Sequence, residues 1–256
     1  MSGAPSADIA VVIPARNEAD RIRATATAAS GLPGVSLVIV VDDGSTDGTA
    51  AAARDAGAIV MRHPRHRGKG AALETGAEAV RVLDQREDRD RPRHLLFLDA
   101  DLAETAAKAG PLVEPVAAGV ADMTIAVFAT TVKLGGHGLV VGLAGAGIQR
   151  ATGWRPAQPL NGQRCLTRAA FEAARPLAPG WGAETGLTID LLRKGMRIEE
   201  VRVPLAHRAT GKDLGSQVHR ARQLAGVARA LASRRPWRRA ATPPGTQVTS
   251  GQADVT

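Results

Sequence analysis

Two carboxylates carry the clearest chemistry in the chain. Asp99 and Asp101 stand at i and i+2, directly after the apolar run Leu95-Leu96-Phe97-Leu98. In extended backbone, side chains two apart point the same way, so the pair can converge on one cation. An Asp-x-Asp of this kind is a minimal device for holding Mg²⁺ or Mn²⁺ against a diphosphate. The plainer alternative is that one Asp caps a following helix. A second acidic pair, Asp42-Asp43, precedes Gly44-Ser45-Thr46. An Asp at that edge can accept from a base N–H or ribose hydroxyls; otherwise the segment is an ordinary turn, with Ser45 or Thr46 capping the next helix.

Further along, Glu184 lies in Gly180-Trp181-Gly182-Ala183-Glu184-Thr185-Gly186. A carboxylate there could act on an acceptor, as a base or as an orienting group, or could simply be a first-turn acid favoured by the helix dipole. Trp181, set between glycines, would leave its ring open to a sugar face. Arg164 could grip an oxyanion bidentately, and Arg208 could meet a phosphate. Cys165 reads as a small core residue and Asp190 as structural.

The elements that must position these groups alternate. Apolar strands are expected at 9–13, 37–41, 58–61 and 95–98, separated by helices from Glu18 to Ser30, up to Ala56, and from Ala71 to Leu83. That order means right-handed βαβ units and a mostly parallel sheet flanked by helices, an α/β class. Both acidic pairs then sit beyond the carboxyl ends of strands, where ligands collect. Strands at 121–128 and 196–203 and a helix over 213–233 follow. The stretch 134–153, rich in glycine, reads either as a loose surface helix or as a disordered acceptor flap. One catalytic domain over 9–240 is expected, with a donor half at 9–102 and an acceptor half at 103–240. A disordered lead (1–8) and tail (241–256) would flank it.

Composition narrows the partners. A formal charge of +8 favours anionic ones, yet no nucleic-acid motif or row of stacking aromatics accompanies it. No Gly-x-Gly-x-x-Gly and no P-loop is present, so neither a dinucleotide nor a P-loop site is indicated. One cysteine excludes an intramolecular disulfide and fits a reducing compartment. No apolar run reaches the roughly 18 residues of a membrane span, and no basic leader is seen, which predicts a cytoplasmic protein. The last helix, with Arg234, Arg235, Arg238, Arg239 and Trp237 at its end, either packs on its own domain or touches an anionic membrane face through 213–240.

Four motifs in order complete the reading: Pro14-x-x-Asn17-Glu18, Val41-Asp42-Asp43-Gly44-Ser45-Thr46-Asp47, Arg67-Gly68-Lys69-Gly70 and Leu98-Asp99-Ala100-Asp101. Together they resemble the donor half of family 2 glycosyltransferases with the GT-A fold, over residues 9–102. The resemblance implies a UDP- or GDP-sugar donor and a divalent ion. It places the nucleotide near Pro14, Ala15, Glu18, Asp43, Lys69, Asp99 and Ala100, with Asp101 and Asp99 on the metal. The segment Gly180–Gly186 and His207-Arg208 are similar to glucosyl-3-phosphoglycerate synthases, which implies His207 as a further metal ligand. Asn161–Phe171 resembles the acceptor side of polyprenyl-phosphate glycosyltransferases, although Gly162-Gln163-Arg164 stands where those usually read Gly-Phe-Arg. The acceptor is therefore a phosphorylated small molecule or a polyprenyl phosphate. A nucleotidyltransferase and a silent nucleotide-binding scaffold are the competing classes.

Overall fold

A computed structural model describes residues 8–128, 138–205 and 214–234 of the chain, with residues 138, 139, 181 and 214–222 described by backbone alone. His207, Arg208, the expected lead up to residue 7, the tail at 241–256, and Arg235, Trp237, Arg238 and Arg239 lie outside the described residues.

The first half builds as alternating strands and helices: β1 (Ile9–Ala15), α1 (Ala19–Ser30), β2 (Val35–Asp42), α2 (Thr49–Asp55), β3 (Ile59–Arg62), α3 (Lys69–Arg86) and β4 (His94–Phe97). β1 pairs in parallel with β2 and β4, and β2 with β3. The second half adds a 3₁₀ turn (Ala103–Lys108), α4 (Gly110–Ala117), β5 (Met123–Phe128), α5 (Gly138–Thr152), β6 (Arg164–Leu166), α6 (Arg168–Ala174), a 3₁₀ turn (Gly180–Gly182), α7 (Ala183–Arg193), β7 (Ile198–Val203) and α8 (Leu214–Ser233). The described residues form a seven-stranded sheet in the order β3-β2-β1-β4-β6-β5-β7. β6 runs antiparallel to both β4 and β5, while β5 and β7 are parallel. The sheet is thus mostly parallel and flanked by helices, as expected.

β1, the 37–41 stretch of β2 and residues 95–97 of β4 are continuously apolar because both faces are covered there. Ile9, Val11 and Ile13 face α1, α2 and α4 through Ile22, Ala26, Ala53 and Leu112. Ala10 and Val12 face α3, α6 and α7 through Ala72, Ala77, Phe171 and Leu187. α3 lies so close over β1 that a Cβ on Gly76 would come within 2.3 Å of Val12 Cγ1. Phe97 and Phe171 meet edge to face, 5.9 Å between centroids, a favourable geometry for two rings.

Three expectations are refined. β4 ends at Phe97, and Ala100-Asp101 is a turn, so the alternation argument for Asp99 and Asp101 does not hold. The stretch 138–152 is a helix, whose Val140 and Ala144 pack with Val227 of α8. α8 also buries Ala230 and approaches the Gly180–Gly182 turn, where a Cβ on Gly182 would come within 2.7 Å of Gly226 O. Val227, Ala230 and Leu231 thus turn toward its own domain, while Leu224, Ala225 and Ala228 stay exposed. Among the described residues no helix is long and apolar enough to cross a membrane.

Candidate active site

The parallel strands β1, β2 and β4 end on one rim, and the reversed strand β6 begins there. Loops after β1 and β2 are stitched together: Asp43 N donates to Ala15 O at 2.8 Å, Thr46 N to Asn17 Oδ1 at 2.9 Å, Asn17 N to Ser45 Oγ at 3.0 Å, and Glu18 N to Thr49 Oγ1 at 2.8 Å. Asn17 takes a positive φ of 55° to make this turn, a conformation Asn tolerates better than most residues. Pro14 and Glu18 are half-buried on this rim. Ala15 is buried, with its carbonyl taken by Asp43.

Asp43 departs from its expected role. Its buried carboxylate receives four donors from the protein itself: His63 Nδ1 and His66 Nδ1 at 2.7 Å, and the backbone N–H groups of Arg67 and Gly68 at 2.8 Å. Burial would raise its pKa, but the His63 hydrogen bond, the two backbone donors and the His66 charge hold it below the usual value. His63 is clamped in turn by Thr75 Oγ1 at 2.9 Å. Asp43 therefore ties down the loop leading to α3 rather than presenting free oxygens to a nucleoside. Gly44, at φ +74°, lets that loop sit directly on the turn, since a Cβ there would come within 2.7 Å of Arg65 C and His66 N.

Lys69 opens α3 and is held between two carboxylates, 2.6 Å from Asp99 Oδ1 and 2.9 Å from Glu184 Oε1. Burial alone would lower the pKa of its ammonium, but the two anions raise it above the ordinary value. Gly162 makes room for the cluster, because a Cβ there would come within 2.2 Å of Lys69 Nζ. Asp99 Oδ2 accepts from Gln163 Nε2 at 2.8 Å. Asp99, expected on the metal, is thus committed to Lys69 and Gln163. The adjoining turn is fixed from α1: Thr25 Oγ1 donates to Ala100 O at 2.8 Å and accepts from Ala103 N at 2.8 Å, while Arg21 Nη1 donates to Asp101 O at 3.2 Å. Ala100 is buried by this arrangement, with its carbonyl occupied.

Glu184 sits in the first turn of α7, 5% exposed. Arg164, expected to grip a phosphate, is instead the largest fully buried side chain. Its guanidinium donates to the carbonyls of Asn161, Pro159 and Glu184 and to Thr188 Oγ1, at 2.8–3.1 Å. Burial pushes its pKa down to about 10 against the pull of Glu184, Glu200 and Asp99. Arg164 braces the backbone under Glu184. Cys165 is buried as expected, with burial pushing its thiol pKa up. Asp190 pairs with Arg234, just past the end of α8, at 2.5–2.8 Å, in keeping with a structural role. Trp181 belongs to the Gly180–Gly182 turn by its backbone.

A divalent ion on a diphosphate needs only one or two protein carboxylates, the remaining ligands being phosphate oxygens and water. Asp101 lies half-buried in the turn that follows β4. Among the described residues no three His, Cys, Asp or Glu side chains cluster as a complete cage, and His207 lies outside them. His63, Gln163 and Thr25 went unnoticed in the sequence; Gln163 was visible there only as a departure from Gly-Phe-Arg.

Known proteins resemble the chain in sequence and in fold. The chain is 29% identical over 209 residues to glycosyltransferase AglJ of Haloferax volcanii, covering 80% of this chain and 65% of that protein. It is 31% identical over 205 residues to the glucosyl-3-phosphoglycerate synthase of Mycolicibacterium paratuberculosis, covering 71% of this chain and 59% of that one. It thus spans less than two thirds of either relative's length. The crystal structure of glucosyl-3-phosphoglycerate synthase from Mycobacterium tuberculosis with Mn²⁺, UDP and phosphoglyceric acid superposes with a TM-score of 0.70 at 28% identity, covering 89% of this chain and 78% of that one. Residues 10–138, half of the chain and all four rim motifs, match the model of glycosyl transferase family 2, and the chain belongs to that family.

Proposed function

We propose that the chain moves a sugar from a nucleotide-diphosphate donor to a phosphorylated acceptor, with Mg²⁺ or Mn²⁺ on the diphosphate. The carrying observation is the Lys69 ammonium, half-buried on the rim and held by Asp99 and Glu184. A cation fixed where strand ends collect ligands suits a leaving diphosphate. Support also comes from the M. tuberculosis synthase, crystallised with UDP and Mg²⁺ or with Mn²⁺, UDP-glucose and phosphoglyceric acid.

In this reading Pro14, Ala15 and Glu18 line the nucleoside side, and Asp43 acts indirectly by ordering the loop before Lys69. Asp101, with His207, would hold the metal, which as a Lewis acid screens charge on the leaving group. Lys69 meets the same charge from the protein side. Glu184 faces the acceptor side, where it orients Lys69 and the incoming hydroxyl; Trp181 and Arg208 would complete that side. A lipid-phosphate acceptor is the second reading, favoured by Val141 and Leu143 of α5, each 37% exposed.

The test is thermal stabilisation by UDP, GDP and ADP, with and without Mn²⁺, for wild type and Asp101→Asn. A ligand at about 100 times its dissociation constant adds roughly 2.7 kcal/mol of stability. One nucleotide should stabilise the wild type with metal, and Asp101→Asn should lose the effect. Absence of any shift in folded wild type would overturn the reading.

A further inference from the structure

Gln163 has no place in the chemistry so far, yet it is fully buried on the rim. The reversed direction of β6 puts it there. A strand antiparallel to β4 begins where β4 ends, and the pairing of Phe97 with Arg164 brings residue 163 level with the segment after Phe97. Its backbone is held from both sides: its N–H donates to Asn161 Oδ1 and its carbonyl accepts from Ala126 N, each at 3.0 Å. The side chain is thereby aimed at Asp99, whose Oδ2 accepts from Nε2 at 2.8 Å while Oδ1 takes Lys69 Nζ at 2.6 Å.

An aspartate carboxylate turns over a broad torsional well, and a donor on each oxygen fixes its plane. Lys69 inherits that fixed geometry. We propose that Gln163 is a positioning residue for the transfer: by fixing Asp99 it holds the Lys69 ammonium where the donor's diphosphate lies, so that no reorganisation is needed as charge develops on the leaving group. The inference rests on the donor site proposed above. It assigns Asp99 to Lys69 and leaves the metal to Asp101.

The test is Gln163→Met, which keeps length and near-equal volume while removing the donor. The Asp99 side chain is 25% exposed, so water can take the vacated place and the fold should survive. Donor turnover, read as nucleotide release, should fall on the order of 10-fold in kcat with the donor KM little changed, the signature of an interaction that matters in the transition state. Metal-dependent stabilisation by nucleotide should persist. In a cycle with Asp99→Asn, the second substitution should add little to the first, because both remove one link. Gln163→Glu, equal in shape but with no N–H, should lower kcat as well and serves if the Met variant does not fold. Unchanged kcat in these variants, or additive effects in the cycle, would overturn the proposal. A wild type that releases no nucleotide from any UDP- or GDP-sugar would instead sink the donor reading, and this inference with it.

Discussion

Lys69 is the residue on which the site's electrostatics turn, since one ammonium is shared by two carboxylates on different elements. Lys69→Met strands Asp99 and the buried Glu184 together, and should lower unfolding free energy by about 3 kcal/mol, the lower end for a broken buried pair. Its raised pKa fixes the pH dependence. A cation whose pKa is higher folded than unfolded stabilises fully below the ordinary 10.5 and loses that contribution as pH rises through the folded value. Urea unfolding should therefore show a constant gap between variant and wild type across neutral pH, closing only at strongly alkaline pH. A gap that closes near neutrality would contradict the pairing. At this scale the sequence singles out Asp99, Lys69 and Glu184 as site candidates but not their mutual contact. The side chains are 30 or more residues apart in sequence, and only the folded rim joins them. Arg164 and Asp43 were read as ligand contacts because an exposed and a buried charge look alike in sequence. Their partners, backbone carbonyls in one case and the loop at 63–68 in the other, carry no motif.

Among the elements, α3 sets the position of Lys69, and its height over the sheet depends on Gly76. Gly76→Ala drives a methyl into Val12 Cγ1 and should cost about 1–3 kcal/mol, measured by urea unfolding, even though alanine is the better helix former. A neutral or stabilising result would mean that α3 lifts without cost. Helices and strands of the donor half were legible because two-faced burial writes continuous apolar runs into β1, β2 and β4, and Gly31, Gly57 and Gly68 punctuate them. The 3₁₀ turn at 103–108 and α4 were not anticipated. Short, alanine-rich and carrying Pro111 and Pro115, they lack a strong periodic stripe. The direction of β6 was equally hidden, since three residues, Arg164–Leu166, do not reveal which way a strand runs.

For the molecule as a whole, a net charge of +8 favours anionic partners, and the proposed donor is one. Screening shortens from about 10 Å at 0.1 M salt to about 3 Å at 1 M, so the donor KM should rise with added NaCl while kcat holds. A KM indifferent to salt would assign the positive charge to another partner. The α/β class and the family were readable from four ordered motifs, whereas the packing of α8 on the Gly180–Gly182 turn was not, because Gly182 and Gly226 meet through backbone.

The loop seated on Gly44 has a thermodynamic consequence. Four donors already close on Asp43, so the entropy of ordering residues 63–68 is spent during folding, at roughly 1–2 kcal/mol per residue, and not when a nucleotide arrives. Calorimetry on the wild type should then show no large ordering penalty from this loop. Asp43→Asn should shift that penalty to binding, giving weaker affinity with a more unfavourable entropy and a more negative heat-capacity change. Equal binding entropies in the two proteins would show that the loop is ordered without Asp43.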